Sequence, residues 1–126
     1  KLTESDVIKQ SEEDQYIETC LELVDYKVSM CQGYNGLRPG LSHISLKNNG
    51  DKDVKELTIT VYFQDRNGKN IAENSFMVIG GFWGGDMLKA NYSWKMEDDK
   101  FYEIENLADE VDISCYSVEI SKISFN

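Results

Sequence analysis

An all-β fold, an antiparallel sandwich, is predicted for this chain by three observations. The first is Leu57-Thr58-Ile59-Thr60-Val61-Tyr62-Phe63-Gln64, whose apolar residues fall at every second position. That period turns Leu57, Ile59, Val61 and Phe63 to one face of a strand and Thr58, Thr60, Tyr62 and Gln64 to the other. The second is the pair of polar turns that bracket it, Asn48-Asn49-Gly50-Asp51 before and Asp65-Arg66-Asn67-Gly68-Lys69 after. Asn-Gly between alternating segments is a strong hairpin signal. The third is the recurrence of short apolar segments on either side.

Taken in order, residues 1–15 are polar and acidic, with only Leu2, Val7 and Ile8 apolar. Thr3 and Asp6 have capping-box spacing, so a short helix or a tether is expected ahead of a domain spanning 16–126. Residues 16–31 alternate, but the phase slips: Ile17, Leu21 and Leu23 share one parity and Val24, Tyr26, Val28 and Met30 the other. A bulge near Leu23-Val24, or a change of sheet there, would reconcile the two sets. Residues 32–40 hold three glycines and the only proline, Pro39, and read as a loop. Leu41 to Lys47 is the next strand, followed by the Leu57 strand and by a run from Asn70 to Ile79 of mixed parity. Leu88, Ala90, Tyr92, Trp94 and Met96 alternate with polar residues as a fifth strand. Phe101, Ile104, Leu107 and Val111 recur at three- and four-residue spacing, which predicts a helical turn or lid over one end of the sandwich. Ile113 to Phe125 closes the chain, with a phase slip near Ser121-Lys122. The Leu57 face should point into one core against Leu88–Met96 or the closing strand. Six to seven strands with turns at such intervals are the pattern of an immunoglobulin-like antiparallel sandwich.

Composition bounds what such a domain does. The 126 residues suit one domain with one core, and 40% hydrophobic content argues against disorder. Acidic residues outnumber basic ones 23 to 13, a net charge of -10 that repels phosphate backbones and anionic headgroups and so disfavours nucleic acid and membrane surfaces as partners. No apolar run reaches the roughly 20 residues of a membrane-spanning helix. The chain opens at Lys1 without an initiator Met or a signal-type segment, which leaves a removed leader and a trimmed chain as the two readings. If residues 16–31 form one strand, Cys20 and Cys31 stand roughly 35 Å apart at ~3.3 Å per residue, far beyond disulfide reach. A bridge would then need Cys115, and three free thiols fit equally well.

Most chemistry-bearing groups read as structural. His43 is the only histidine and lies opposite Ile44 and Leu46, so it should face solvent, with no G-x-S-x-G elbow to suggest a triad. One His and no CxxC argue against a metal site, and no cofactor motif is present. The Asp65–Asn70 segment superficially resembles a calcium loop, but Lys69 stands at the fifth position and Phe76 at the twelfth, so a turn is expected. The carboxylates Glu97, Asp98 and Asp99, with Glu103, Glu105, Asp109, Glu110 and Asp112 after them, read as solvated turns ahead of a Ca²⁺ site or a glycosidase acid–base pair. Gly80-Gly81-Phe82-Trp83-Gly84-Gly85-Asp86 is different, because a hairpin does not require four glycines around two large aromatics. Phe82 and Trp83, with Asp86, are the candidate partner- or ligand-binding residues. The competing reading folds Trp83 over a sheet edge, with the glycines permitting the bend.

The strand end Lys47-Asn48-Asn49-Gly50-Asp51-Lys52, Val54, the alternating Leu57–Phe63 run, the Asp65–Lys69 turn, Leu88-Lys89-Ala90 and the closing Val118–Phe125 together resemble small immunoglobulin-like modules of bacterial cell-envelope proteins, the FxLYD-like group. Val61-Tyr62-Phe63-Gln64-Asp65 retains only the final Asp of that signature. The resemblance implies an extracytoplasmic protein, periplasmic or at the cell surface, with a lipid anchor ahead of Lys1 as many such modules have. It implies no catalytic residues. In a bacterial protein the N-glycosylation sequon Asn91-Tyr92-Ser93 is a chance match. The expected function is a non-catalytic interaction or structural module with a protein partner. The alternative is a carbohydrate-binding domain using the Gly80–Asp86 loop.

Overall fold

The computed structural model describes residues 4–80 and 86–126, with side-chain surroundings from residue 11 onward. One helix, α1 (Glu4–Cys20), precedes seven strands among the described residues: β1 (Leu21–Gly33), β2 (Gly36–Asn48), β3 (Val54–Gln64), β4 (Asn70–Ile79), β5 (Ser93–Lys95), β6 (Tyr102–Glu103) and β7 (Tyr116–Phe125). They form two antiparallel sheets. In one, β2 lies between β1 on one side and β5 and β6 on the other; in the other, β3 lies between β4 and β7. No described helix is long and apolar enough to cross a membrane.

The core forms between the two central strands. Leu57, Ile59, Val61 and Phe63 of β3 are all fully buried, as their alternation predicts, and meet Leu41, Ile44 and Leu46 of β2. The closing strand lies beside β3 rather than across from it, pairing Val61 with Val118 and Ile59 with Ile120. Thr60, on the outer face of β3, is also covered: its hydroxyl donates to Ser121 Oγ at 2.7 Å and lies 2.8 Å from Ser75 Oγ. Both neighbouring strands thus supply a hydroxyl that covers Thr60 between them.

Bulges reconcile the broken alternations. Leu23 pairs with Leu46 but Asp25 with Ser45, so Val24 is an extra residue on β1; Lys27 pairs with Ser42, so β2 carries the extra residue two pairs later. His43 takes that place in the left-handed region at φ 58°. The two insertions offset each other, and the register beyond them returns to its starting value. They also let Leu41 and Ile44, of opposite parity, both face the core. The slip near Ser121 is a third bulge, between the Thr58–Lys122 and Ile59–Ile120 pairs.

Four expectations are corrected. Residues 16–20 belong to α1, not to the first strand, because Tyr16, Ile17 and Cys20 share one helix face that packs on the core while Ser11, Glu12, Asp14 and Gln15 stay exposed. Residues 32–40 are not a loop: β1 and β2 run on to a Gly33–Gly36 pair closed by Tyr34-Asn35, with Gly36 at φ 101°. The 88–96 segment is not one strand, since a turn interrupts it. Asn91 sits at φ 65°, the Tyr92 amide donates to the Lys89 carbonyl at 3.0 Å, and only Ser93–Lys95 pairs with β2. Residues 101–111 form no helix. Tyr102–Glu103 pairs with Gly40–Leu41, and Ile104 is buried in an irregular segment held by its amide to the Pro39 carbonyl at 2.9 Å.

Candidate functional site

Asn48, the last residue of β2, organises the region around the predicted site. Its side chain is fully buried and its hydrogen bonds are all made. Oδ1 accepts from the Tyr16 hydroxyl at 2.6 Å and the Gly50 amide at 3.0 Å, while Nδ2 donates to the carbonyls of Lys52 at 2.8 Å and Leu88 at 3.1 Å. The Lys52 amide donates in turn to the Tyr16 hydroxyl at 3.2 Å, and the Tyr16 ring meets the edge of Phe125 with centroids 5.1 Å apart. Gly50 is required here, because a Cβ at that position would collide with the Tyr16 hydroxyl and ring. One side chain thereby ties α1, the β2–β3 turn and the segment after residue 85 together.

That segment is then fastened at several points. Leu88 and Val54 exchange both backbone hydrogen bonds at 2.9 Å, the Ala90 amide donates to Asp53 Oδ1 at 2.9 Å, and the Asn48 amide donates to the Tyr92 carbonyl at 2.9 Å. The result is a recess of about 530 Å³ bordered by Asp86, Lys89, Tyr92, Ser93 and Trp94. Tyr92 stands 59% exposed, with Lys89 Nζ 5.8 Å from its ring centroid. Trp94, paired with Leu46 across the sheet, is half-buried against the core. The recess therefore has a rigid aromatic wall, a second aromatic face open to solvent, and a carboxylate, an ammonium and a hydroxyl at its border. Such a surface suits stacking and hydrogen bonding to a neutral polar ligand, or anchoring of a partner side chain.

Of the predicted site residues, Asp86 is exposed and borders this recess. Phe82 and Trp83 lie outside the described residues. Lys89, Tyr92 and Trp94 were not anticipated as site residues, because their alternation with Leu88 and Met96 reads as a core strand. Asn91, a residue type tolerant of the left-handed region, was the available turn signal.

None of the other candidates among the described residues borders this recess. His43 is exposed, with Nδ1 2.8 Å from Ser42 Oγ. Asp65 Oδ1 accepts from the amides of Asn67 at 2.9 Å and Lys69 at 3.0 Å, which commits its carboxylate to the turn. Asp112 Oδ1 accepts from the hydroxyl and the amide of Ser114, and these bonds hold its carboxyl below the ordinary range. Among the described residues no three His, Cys, Asp or Glu side chains are placed to hold a metal ion. Cys20, Cys31 and Cys115 are all free thiols.

No protein-family model matches this sequence, and no curated protein or solved structure matches it.

Proposed function

We propose that this chain is a non-catalytic interaction module of the bacterial cell envelope, an immunoglobulin-like domain that holds a protein partner at the Asp86–Trp94 recess. The observation that carries this reading is the exposed Tyr92 beside the half-buried Trp94, on a segment fastened to Asn48, Asp53 and Val54. Aromatic rings held rigidly at the surface give contact area at low entropic cost, which is why such residues anchor interfaces. The strand order supports the immunoglobulin-like assignment. β1-β2-β5 and β4-β3-β7 correspond to A-B-E and C′-C-F of that architecture. The cell-envelope placement rests on the sequence resemblance.

Carbohydrate binding is the second reading, favoured by Asp86, Lys89 and Ser93 bordering the two rings. One experiment separates the two. Wild type, Tyr92→Ala and Phe82→Ala/Trp83→Ala are compared for partner capture from envelope extract and for retention on immobilised glycans. Loss of protein capture in the variants, with unchanged melting temperature, supports the interaction module. Loss of glycan retention alone supports the sugar reading. Capture and retention equal to wild type would remove the recess from consideration.

A further inference from the structure

The exposed apolar residues at the other end of β2 form a second surface, roughly 30 Å from the recess at ~3.3 Å per strand residue between Leu37 and Leu46, the partner of Trp94. There the β1–β2 hairpin extends past the core, and Tyr34 at its tip is fully exposed, with Met30 at 49% and Leu37 at 59%. Met30 pairs with Pro39 and Gln32 with Leu37, so Met30 and Leu37 lie on the sheet face that, nearer the core, carries Val28 and Leu41. Beneath that overhang lies a groove of about 670 Å³, whose apolar side chains include Ile104, Leu107, Val111 and Ile113.

This groove is prebuilt. The Ile104 amide is bonded to the Pro39 carbonyl at 2.9 Å, and the Val111 amide to the Ala108 carbonyl at 3.0 Å. Asn74 of β4 clamps the backbone of Glu105 from both sides, Nδ2 donating to its carbonyl at 3.2 Å and Oδ1 accepting from its amide at 3.3 Å. The groove segment is thus pinned to both sheets, to β2 through Pro39 and to β4 through Asn74. Its charge is one-sided as well: among the described residues Glu103, Glu105 and Asp109 line it against one cation, Arg38.

We infer that this groove docks a short segment of a partner protein in which Lys or Arg residues flank an apolar anchor. The apolar floor and the overhanging Met30 and Tyr34 take the anchor, and the acidic side chains take the flanking cations. Charge decides against the other occupants. A second copy docking by the same groove would bring two acidic surfaces together, each on a chain of net charge -10. An anionic lipid surface would be repelled for the same reason.

The test uses the whole chain and a fluorescent Lys-Leu-Lys-Phe-Lys-Leu peptide, with the Glu-for-Lys peptide as its counterpart, read by anisotropy. Three variants are compared: Met30→Ser/Tyr34→Ala, Glu105→Lys/Asp109→Lys, and the control Glu12→Lys/Asp14→Lys on α1, which reverses the same amount of charge away from the groove. All these side chains are exposed, so melting temperatures should not change. The expected result is binding of the basic peptide only, weakened about ten-fold or more by either groove variant and unchanged by the α1 variant. Equal weakening by the α1 variant would reduce the effect to diffuse charge attraction and overturn the proposal. So would absence of binding, self-association in sedimentation that Met30→Ser/Tyr34→Ala abolishes, or binding to anionic vesicles through the same residues.

Discussion

Asn48 shows how one buried amide can hold a fold and a site together. Asn48→Ala would leave the Gly50 amide unpaired and remove one bond each from the Tyr16 hydroxyl and the Lys52 and Leu88 carbonyls. Tyr16 and Lys52 keep each other and Leu88 keeps Val54, so the cost should be on the order of 2–3 kcal/mol in urea unfolding. The same variant should loosen the Leu88–Tyr92 segment, read as faster amide exchange at Leu88 and Tyr92. Ile59→Ala should cost about 2–5 kcal/mol through lost burial and a residual cavity, and Thr60→Ala about 1 kcal/mol through two hydroxyl bonds. Equal losses would contradict the face assignment. Three tyrosines link stability to alkaline pH. Burial raises the phenols of Tyr16 and Tyr102 above their ordinary value, and Tyr62 is raised chiefly by its hydrogen bond to the Glu119 carboxylate. A phenol whose folded pKa lies above its unfolded one keeps its full contribution below the unfolded value, near pH 10, and loses it as pH rises through the folded value. Stability should therefore fall above about pH 10, and Tyr102→Phe should flatten that fall. An unchanged alkaline slope would remove Tyr102 from the explanation. The sequence marked Asn48 only as a turn residue, because the partners that make it a hub lie 32 and 40 positions away.

Helix α1 and the bulges show which elements were legible. The Leu57–Phe63 strand and the slips near Val24 and Ser121 could be read directly, since a two-residue period and its interruption are local facts. The last turn of α1 could not: Ile17 continues the strand parity of Leu21 and Leu23 as well as it joins Tyr16 and Cys20 on a helix face, and the choice falls to the Tyr16–Asn48 contact. Before that turn Ser11, Glu12, Asp14 and Gln15 are exposed, so replacing all four with Ala should shift the melting temperature little, whereas Tyr16→Phe should cost about 1–2 kcal/mol. A large loss from the Ala variant would mean that these side chains pack on the body. The left-handed His43 gives a sharper check on β2. His43→Gly should be neutral or stabilising, and His43→Val should destabilise by about 1–2 kcal/mol, because a β-branched residue resists that conformation. The reverse order would argue against the bulge.

At the scale of the molecule, two sheets share one core, and the surface carries an acidic excess, with the Tyr92 recess and the end groove among its concave regions. The sandwich was legible because alternation reports burial. Most of the candidate site was not, Asp86 being the one bordering residue that was predicted, because Tyr92 and Trp94 continue that alternation past a turn that only Asn91 signals. The end groove was hidden for a related reason: Ile104, Leu107 and Val111 have helical spacing, yet they line a segment held by Pro39 and Asn74 from two different sheets. The central claim is that the Tyr92 surface is where this module meets its partner. A photo-crosslinking residue placed at Tyr92 in the source cells, against the same residue at the exposed Met77 of β4, tests it most directly. The account predicts a discrete adduct from position 92 and none from position 77. Equal adducts from both positions, or an adduct from position 77 alone, would contradict it.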